Sequence, residues 1–217
     1  MTNSKRLVFE DYNIPCQDLA KNLLGKLLVR KLENNEILRG KIVETESYLG
    51  GEDKASHSYN NRRTPKNEPM FMKAGTCYVY ITYGMYHCMN ISSKEPGSAV
   101  LLRALEPICG ESKMQEHRLE KKNANVKKLE DLCNGPAKLC ISMDITKENC
   151  NKLDLTECEE LWIEDPEGQE DINIVASSRI GIASAGDEWA NKPLRFYILG
   201  NKHVSKKDRK AEKLFLE

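Results

Sequence analysis

The sequence predicts a single α+β domain over residues 1–217, built on a mixed, mostly antiparallel β-sheet with helices against it. Three observations predict it. A chain of 217 residues, 40% hydrophobic and 30% charged, suits one soluble domain with a buried core. Runs rich in β-branched and aromatic residues recur from end to end, with only a few helical stretches between them. No internal repeat and no Gly/Ser linker divides the chain.

Taken in order, CQDLAKNLL (16–24) spaces Leu19, Leu23 and Leu24 as a helix does and stops at Gly25. KLLVRKL, an Asn-Asn turn and EILRGKIVETESYLG read as a β-hairpin with a long second strand. Residues 51–70 are polar and aperiodic with two prolines, a loop of a length that is functional or disordered inside a domain. CYVYITY and MYHCMNISS are strands around Gly84, and SAVLLRALEP is a strand ended by Pro107. Residues 110–132 are charged and broadly helical, and GPAKLCISM is a short helix with Pro136 in its first turn. LWIED, INIVASSRIGI and LRFYIL supply later strands, followed by the Lys-rich KKDRKAEK.

Composition excludes several classes. No apolar run approaches the ~18 residues of a membrane-spanning helix, and the N-terminus lacks the apolar block of a secretory signal, so an intracellular protein is expected. The eight cysteines form no C-x-x-C pair and the four histidines are scattered, so reduced thiols and no metal site are expected. The formal charge is zero but segregated: residues 1–153 carry +5, residues 154–171 carry −9 and residues 172–217 carry +4. An anionic partner is permitted, and the acidic stretch should face away from it.

Chemistry concentrates in KIVETESYLG. Alternation along a strand puts Ile42, Glu44, Glu46 and Tyr48 on one face, so two carboxylates and a phenol share a surface before the long loop. Taken alone, this segment reads first as a solvated strand face with its acids opposite Lys or Arg. Six of the eight tyrosines lie within residues 48–86, interleaved with Arg62, Arg63, Lys66 and Lys73. Aromatics among bases can stack nucleobases while holding a phosphate backbone, although tyrosines also suit any half-buried sheet. Tyr83 stands apart, because Tyr83-Gly84 sits at a turn where a ring projects outward.

The segment from LRGKIVETESYLGGEDKASHSYNNRRTPKNEPMFMKAGTCYVYITYGMYHCMNISS through VLLRALEP, GPAKLC and KPLRFY closely resembles the alkyladenine (3-methyladenine) DNA glycosylases, from about residue 12 to 205. The resemblance implies a curved sheet with a protruding β-hairpin. It also implies removal of alkylated or deaminated purines from double-stranded DNA by base excision, with no metal or cofactor. Within it Glu46 matches the general base, and Arg103 an arginine near the base and the water. Tyr48, His57 and Tyr80 match the walls around a flipped base. Asn90 matches the asparagine that crowds the 2-amino group of guanine. Tyr83 matches the intercalating tyrosine, with Met85 beside it. Water is the nucleophile in that family, so a monofunctional enzyme is implied.

Such roles fit the chemistry required. A base inside a duplex must be flipped out, a wedge must fill the gap, and a carboxylate can stabilise an oxocarbenium-like sugar while accepting a proton from water. Arg62, Arg63, Lys66 and Lys138 are candidate phosphate contacts. The alternative is a non-catalytic damaged-DNA binding module on the same fold. A monomer is expected, in the nucleus if the source is eukaryotic and otherwise in the cytoplasm.

Overall fold

The computed structural model describes residues 4–121, 124–168 and 171–215. Lys122 and Asn123, within the stretch expected to be helical, and Gln169 and Glu170, within the acidic stretch, lie outside the described residues. In chain order the elements are β1 (Ser4–Arg6), α1 (Phe9–Tyr12), α2 (Cys16–Asn22), β2 (Leu27–Lys31), β3 (Ile37–Tyr48), β4 (Cys77–Thr82), β5 (Tyr86–Ser92), β6 (Ala99–Cys109), α3 (Glu111–Leu119), α4 (Pro136–Ser142), α5 (Lys147–Cys150), β7 (Leu161–Pro166), β8 (Ile174–Ser177), α6 (Asp187–Asn191), β9 (Arg195–Ile198) and α7 (Arg209–Lys213). α2 ends before Gly25, which takes φ 84°, and α4 starts on Pro136, whose missing N–H costs nothing there.

The strands form one sheet in the order β1-β7-β2-β3-β6-β5-β4, with β9 joined to β3 and β8 to β9. Every named pairing is antiparallel. β3 is the spine. β2 flanks residues 37–41, β9 flanks residues 44–46, and β6 runs along the other edge. Glu44 and Glu46 therefore sit where β3 has a strand on both sides, and both are fully buried. The β4–β5 hairpin lies at one end of the order and β7, with Glu164 and Asp165, near the other.

Alternation divides the sheet faces cleanly on four neighbouring strands. Cys77 and Val79, Met89 and Ile91, and Val100 and Leu102 belong to the principal apolar cluster with Leu19 and Leu23 of α2 and Leu139 of α4. Thr45 and Ser47 point the same way, donating to the carbonyls of Ala20 and Cys16. The intervening residues of these strands face the opposite side, where the cavity lies.

Four expectations need correction. The helix expected over 110–132 covers only Glu111–Leu119, with a single 3-10 turn at Leu129–Asp131 among the described residues in the rest of that stretch. Ile42 is not on the face of Glu44: it packs in the principal cluster, while Val43 joins Ala104, Val175, Tyr197 and Val204. A bulge between Ile42 and Glu44 resets the alternation. β6 does not stop at Pro107 but runs to Cys109, with Pro107 opposite Gly40 at another register shift. β5 pairs only with Ala99–Leu101, so at Pro107 β6 has one strand neighbour and the lost donor is tolerated. β8 covers only Ile174–Ser177, because the chain then leaves the ladder and turns into the cavity wall.

Candidate active site

A cavity of about 450 Å³ opens on the face shared by β3–β6, within the size range of small-molecule sites. Its strand-borne walls are alternate residues: Tyr48 from β3, Tyr78, Tyr80 and Thr82 from β4, Tyr86, Cys88 and Asn90 from β5, and Leu101 and Arg103 from β6. His57 and Met70 come from the long loop, Pro136 and Ala137 from the start of α4, and Ile180, Gly181 and Ile182 from the segment after β8.

Glu46 lies one hydrogen bond behind this wall. Its Oε2 accepts from the Tyr48 hydroxyl at 2.9 Å, and its Oε1 accepts from the Ile180 amide at 2.8 Å and pairs with Arg103 Nη1 at 3.2 Å. A carboxylate offers about four acceptor positions, so two hydrogen bonds and one ion pair leave acceptor capacity for a further donor such as water. Arg103 also reaches Glu44 through Nε at 3.3 Å. Burial works against the Arg103 charge, but the Glu46 and Glu44 carboxylates outweigh it and hold the guanidinium above its usual range. Burial, and then the Glu46 carboxylate, push the Tyr48 phenol well up, so it keeps the proton it donates.

The aromatic wall is a linked set. His57 Nδ1 and the Tyr78 hydroxyl share a hydrogen bond of 2.9 Å, and the His57 ring meets Tyr80 edge-on at 4.7 Å. Protein packed around the His57 ring lowers its pKa, favouring the neutral imidazole. Asn90 is buried and donates from Nδ2 to the carbonyls of Tyr78 at 3.1 Å and Cys88 at 3.4 Å. It both ties β4 to β5 and lines the cavity.

At the hairpin tip Tyr83 is 89% exposed and Met85 67%. Tyr83 and Gly84 take φ 52° and 71°, the positive sign of a primed turn's central residues, and the Met85 amide donates to the Thr82 carbonyl at 3.2 Å across them; Met85 completes a three-residue loop between the paired Thr82 and Tyr86. A tyrosine there costs on the order of 1 to 2 kcal/mol, which the fold spends to hold a large ring in open water beside a cavity.

A family model described as methylpurine-DNA glycosylase (MPG) matches residues 10–202. The chain belongs to the methylpurine-DNA glycosylase family. It is 53% identical over 195 residues to a probable DNA-3-methyladenine glycosylase of Encephalitozoon cuniculi, covering 90% of each chain. It is 51% identical over 211 residues to the DNA-3-methyladenine glycosylase of Homo sapiens, covering 95% of this chain and 70% of the human one. A putative 3-methyladenine DNA glycosylase of Clostridium botulinum is 46% identical over 202 residues, covering 91% of this chain and 98% of that one.

Not every basic residue expected to contact phosphate is equally free. Arg62 and Lys66 are exposed. Arg63 is held by both oxygens of Glu68, at 2.9 and 2.6 Å, and lies over the Phe71 ring. Lys138 donates to Asn134 at 2.7 Å, and burial followed by the nearby Arg118 lowers its pKa.

Sequence reasoning missed the residues that lock the site. Asp53 and Arg179 form a fully buried pair, and Arg179 also donates to the Ser47 carbonyl and lies 4.7 Å over the Tyr48 ring. Asp53 accepts from the amides of Leu49 and Ala55, fixing the start of the long loop, and Asn67 donates to the carbonyls of His57 and Arg62 farther along. Arg195, missed as well, donates through Nη1 at 2.8 Å to Glu44, which was expected on this face and also accepts from the Ser205 amide at 2.7 Å. The one available signal was Gly181, a glycine inside an apparent strand that marks a turn.

Proposed function

We propose that the chain extrudes alkylated or deaminated purines from double-stranded DNA into this cavity and hydrolyses their N-glycosyl bond with a water that Glu46 activates, leaving an abasic site. The coarser statement follows from family membership: the chain is a DNA glycosylase, a hydrolase of N-glycosyl bonds that serves base excision repair. The observation that carries the finer reading is the Glu46 carboxylate, buried behind the cavity and held by two hydrogen bonds and the Arg103 ion pair with acceptor capacity left.

In this reading the water oxygen bonds to the sugar C1′ as the bond from C1′ to the purine nitrogen breaks. The bonding pair leaves with the base, and the water proton passes to Glu46. Arg103 and Tyr48 orient the carboxylate, and Arg103 balances its charge. Tyr48, Tyr80 and His57 present π-faces to the base, and a cationic alkylated purine gains on the order of 1 to 2 kcal/mol from such faces once desolvated. Tyr83, with Met85, fills the gap in the stack. Asn90 occupies space that the 2-amino group of normal guanine would need. Arg62, Lys66 and Lys138 contact phosphates, and Arg63 does so only by leaving Glu68.

The enzyme works as a monomer, inside the cell, in the nucleus if the source is eukaryotic and otherwise in the cytoplasm. No helix among the described residues is long and apolar enough to cross a membrane. The test is incubation with duplexes that each carry one 3-methyladenine, 7-methylguanine, hypoxanthine or ethenoadenine, followed by alkali to cleave at abasic sites. Lesion-dependent cleavage only after alkali supports the reading, and binding without cleavage on every duplex sinks it.

A further inference from the structure

Residues 202–213 separate their charges by direction. They hold six bases, Lys202, Lys206, Lys207, Arg209, Lys210 and Lys213, and two acids, Asp208 and Glu212. Both acids turn toward the protein. Asp208 accepts from Ser177 Oγ and from the amides of Lys210 and Ala211, which caps α7, and Glu212 accepts from the Tyr197 hydroxyl at 3.2 Å. All six bases are exposed. Lys202 pairs with Glu130 at 3.0 Å, and the other five form no ion pair among the described residues. A chain with no net charge thus gathers five uncompensated cations on one short segment.

The segment is fixed rather than trailing. Arg195 Nη1 donates to the Lys206 carbonyl at 2.7 Å, the Ser205 amide to Glu44 at 2.7 Å, and the Asp208 amide to the Tyr197 hydroxyl at 2.9 Å. Ser177, which holds Asp208, is three residues before Ile180 of the cavity wall. Three residues span at most about 10 Å, about three steps along a duplex at ~3.4 Å each.

We propose that the anchored C-terminal segment Lys206–Lys213 is a second DNA contact, holding backbone phosphates of the duplex a few base pairs from the extruded nucleotide. The proposal rests on the glycosylase reading above. Non-specific attraction to a polyanion depends on the cations that replace its counterions, and with zero net charge the chain must draw that attraction from local clusters. A folded segment with its acids spent inward presents such a cluster in fixed register to a rigid, regularly charged partner.

The test compares wild type with the triple variants Lys206→Gln/Lys207→Gln/Lys210→Gln and Lys206→Arg/Lys207→Arg/Lys210→Arg. None of these side chains belongs to the cavity. Affinity for a short undamaged duplex is measured between about 50 and 200 mM salt, and single-turnover excision from a hypoxanthine duplex is measured at saturating enzyme. The Gln variant should show a slope of log affinity against log salt shallower by about 2 to 3, near 0.9 for each lost phosphate contact, while the Arg variant keeps the wild-type slope and all three share one excision rate. A wild-type slope in the Gln variant, with excision intact, overturns the proposal, as does the loss of a self-associated form with no change in slope. If wild type itself excises nothing, the glycosylase reading fails instead.

Discussion

The backbone amide of Ile180 donates to Oε1 of Glu46 at 2.8 Å across 134 residues of sequence. Next to it, Arg179 is locked onto Asp53 and lies over the Tyr48 ring. One dipeptide therefore orients the carboxylate, one wall of the cavity and the start of the loop that carries His57.

Arg179→Ala should leave the Asp53 carboxylate buried without its partner, a loss of about 3 to 5 kcal/mol. In a chain of this size that lowers the midpoint by roughly 10 °C. An apolar double variant, Asp53→Leu/Arg179→Met, should recover part of the midpoint, limited by the Leu49 and Ala55 amides that lose their acceptor, without recovering excision, because the contact with Tyr48 stays lost. Calorimetry beside single-turnover excision checks this, and recovery of both together would make the pair purely structural.

Tyr83→Ala should leave the thermal midpoint within a degree or so, since the side chain is 89% exposed. Excision should fall most for lesions in well-paired duplexes and least where the lesion is mismatched and extrusion costs less. An equal loss in every context would count against the wedge.

Asn90→Ser tests whether this side chain filters guanine or only joins strands. If it fills the space of a 2-amino group, the variant should gain activity on guanine-type lesions relative to hypoxanthine, by an amount that can reach ~1 to 3 kcal/mol. Its bonds to the Tyr78 and Cys88 carbonyls give the competing expectation, a uniform loss with lowered stability. The ratio of excision rates on the two substrates decides.

Much of the site was legible because it is built from local patterns. Period-two alternation gave the shared face of Glu44, Glu46 and Tyr48, and a Tyr-Gly pair between two strands marked the exposed ring of Tyr83. What was not legible is non-local. Nothing in residues 51–55 announces that Asp53 will meet Arg179 126 positions later. A bulge at Val43 leaves no compositional trace, so Ile42 was assigned to the wrong face. Pro107 is an ordinary strand breaker, harmless here only because β5 ends its pairing with β6 at Leu101.

His203 gives a prediction about pH. It is 1% exposed with Nδ1 unpartnered, and burial lowers its pKa despite the nearby Glu106 and Glu130 carboxylates, with Lys202 and Lys41 acting in the same direction as burial. As pH falls through the unfolded value of about 6.5, the unfolded chain takes up a proton that the folded state resists. Stability should therefore fall from pH 7.5 toward 5.5, above the range where carboxylates titrate. Denaturant midpoints across that range should decline less in His203→Gln, and a decline as steep as wild type would remove His203 from the account.

The central claim is that Glu46 accepts a proton from the attacking water. Glu46→Gln keeps the size and the hydrogen-bonding reach of the side chain but cannot take that proton. Single-turnover excision of hypoxanthine, measured at enzyme concentrations shown to saturate the duplex, should fall at least ~10²- to 10⁴-fold while duplex affinity stays near wild type. Excision at the wild-type rate by the saturated variant would contradict the assignment.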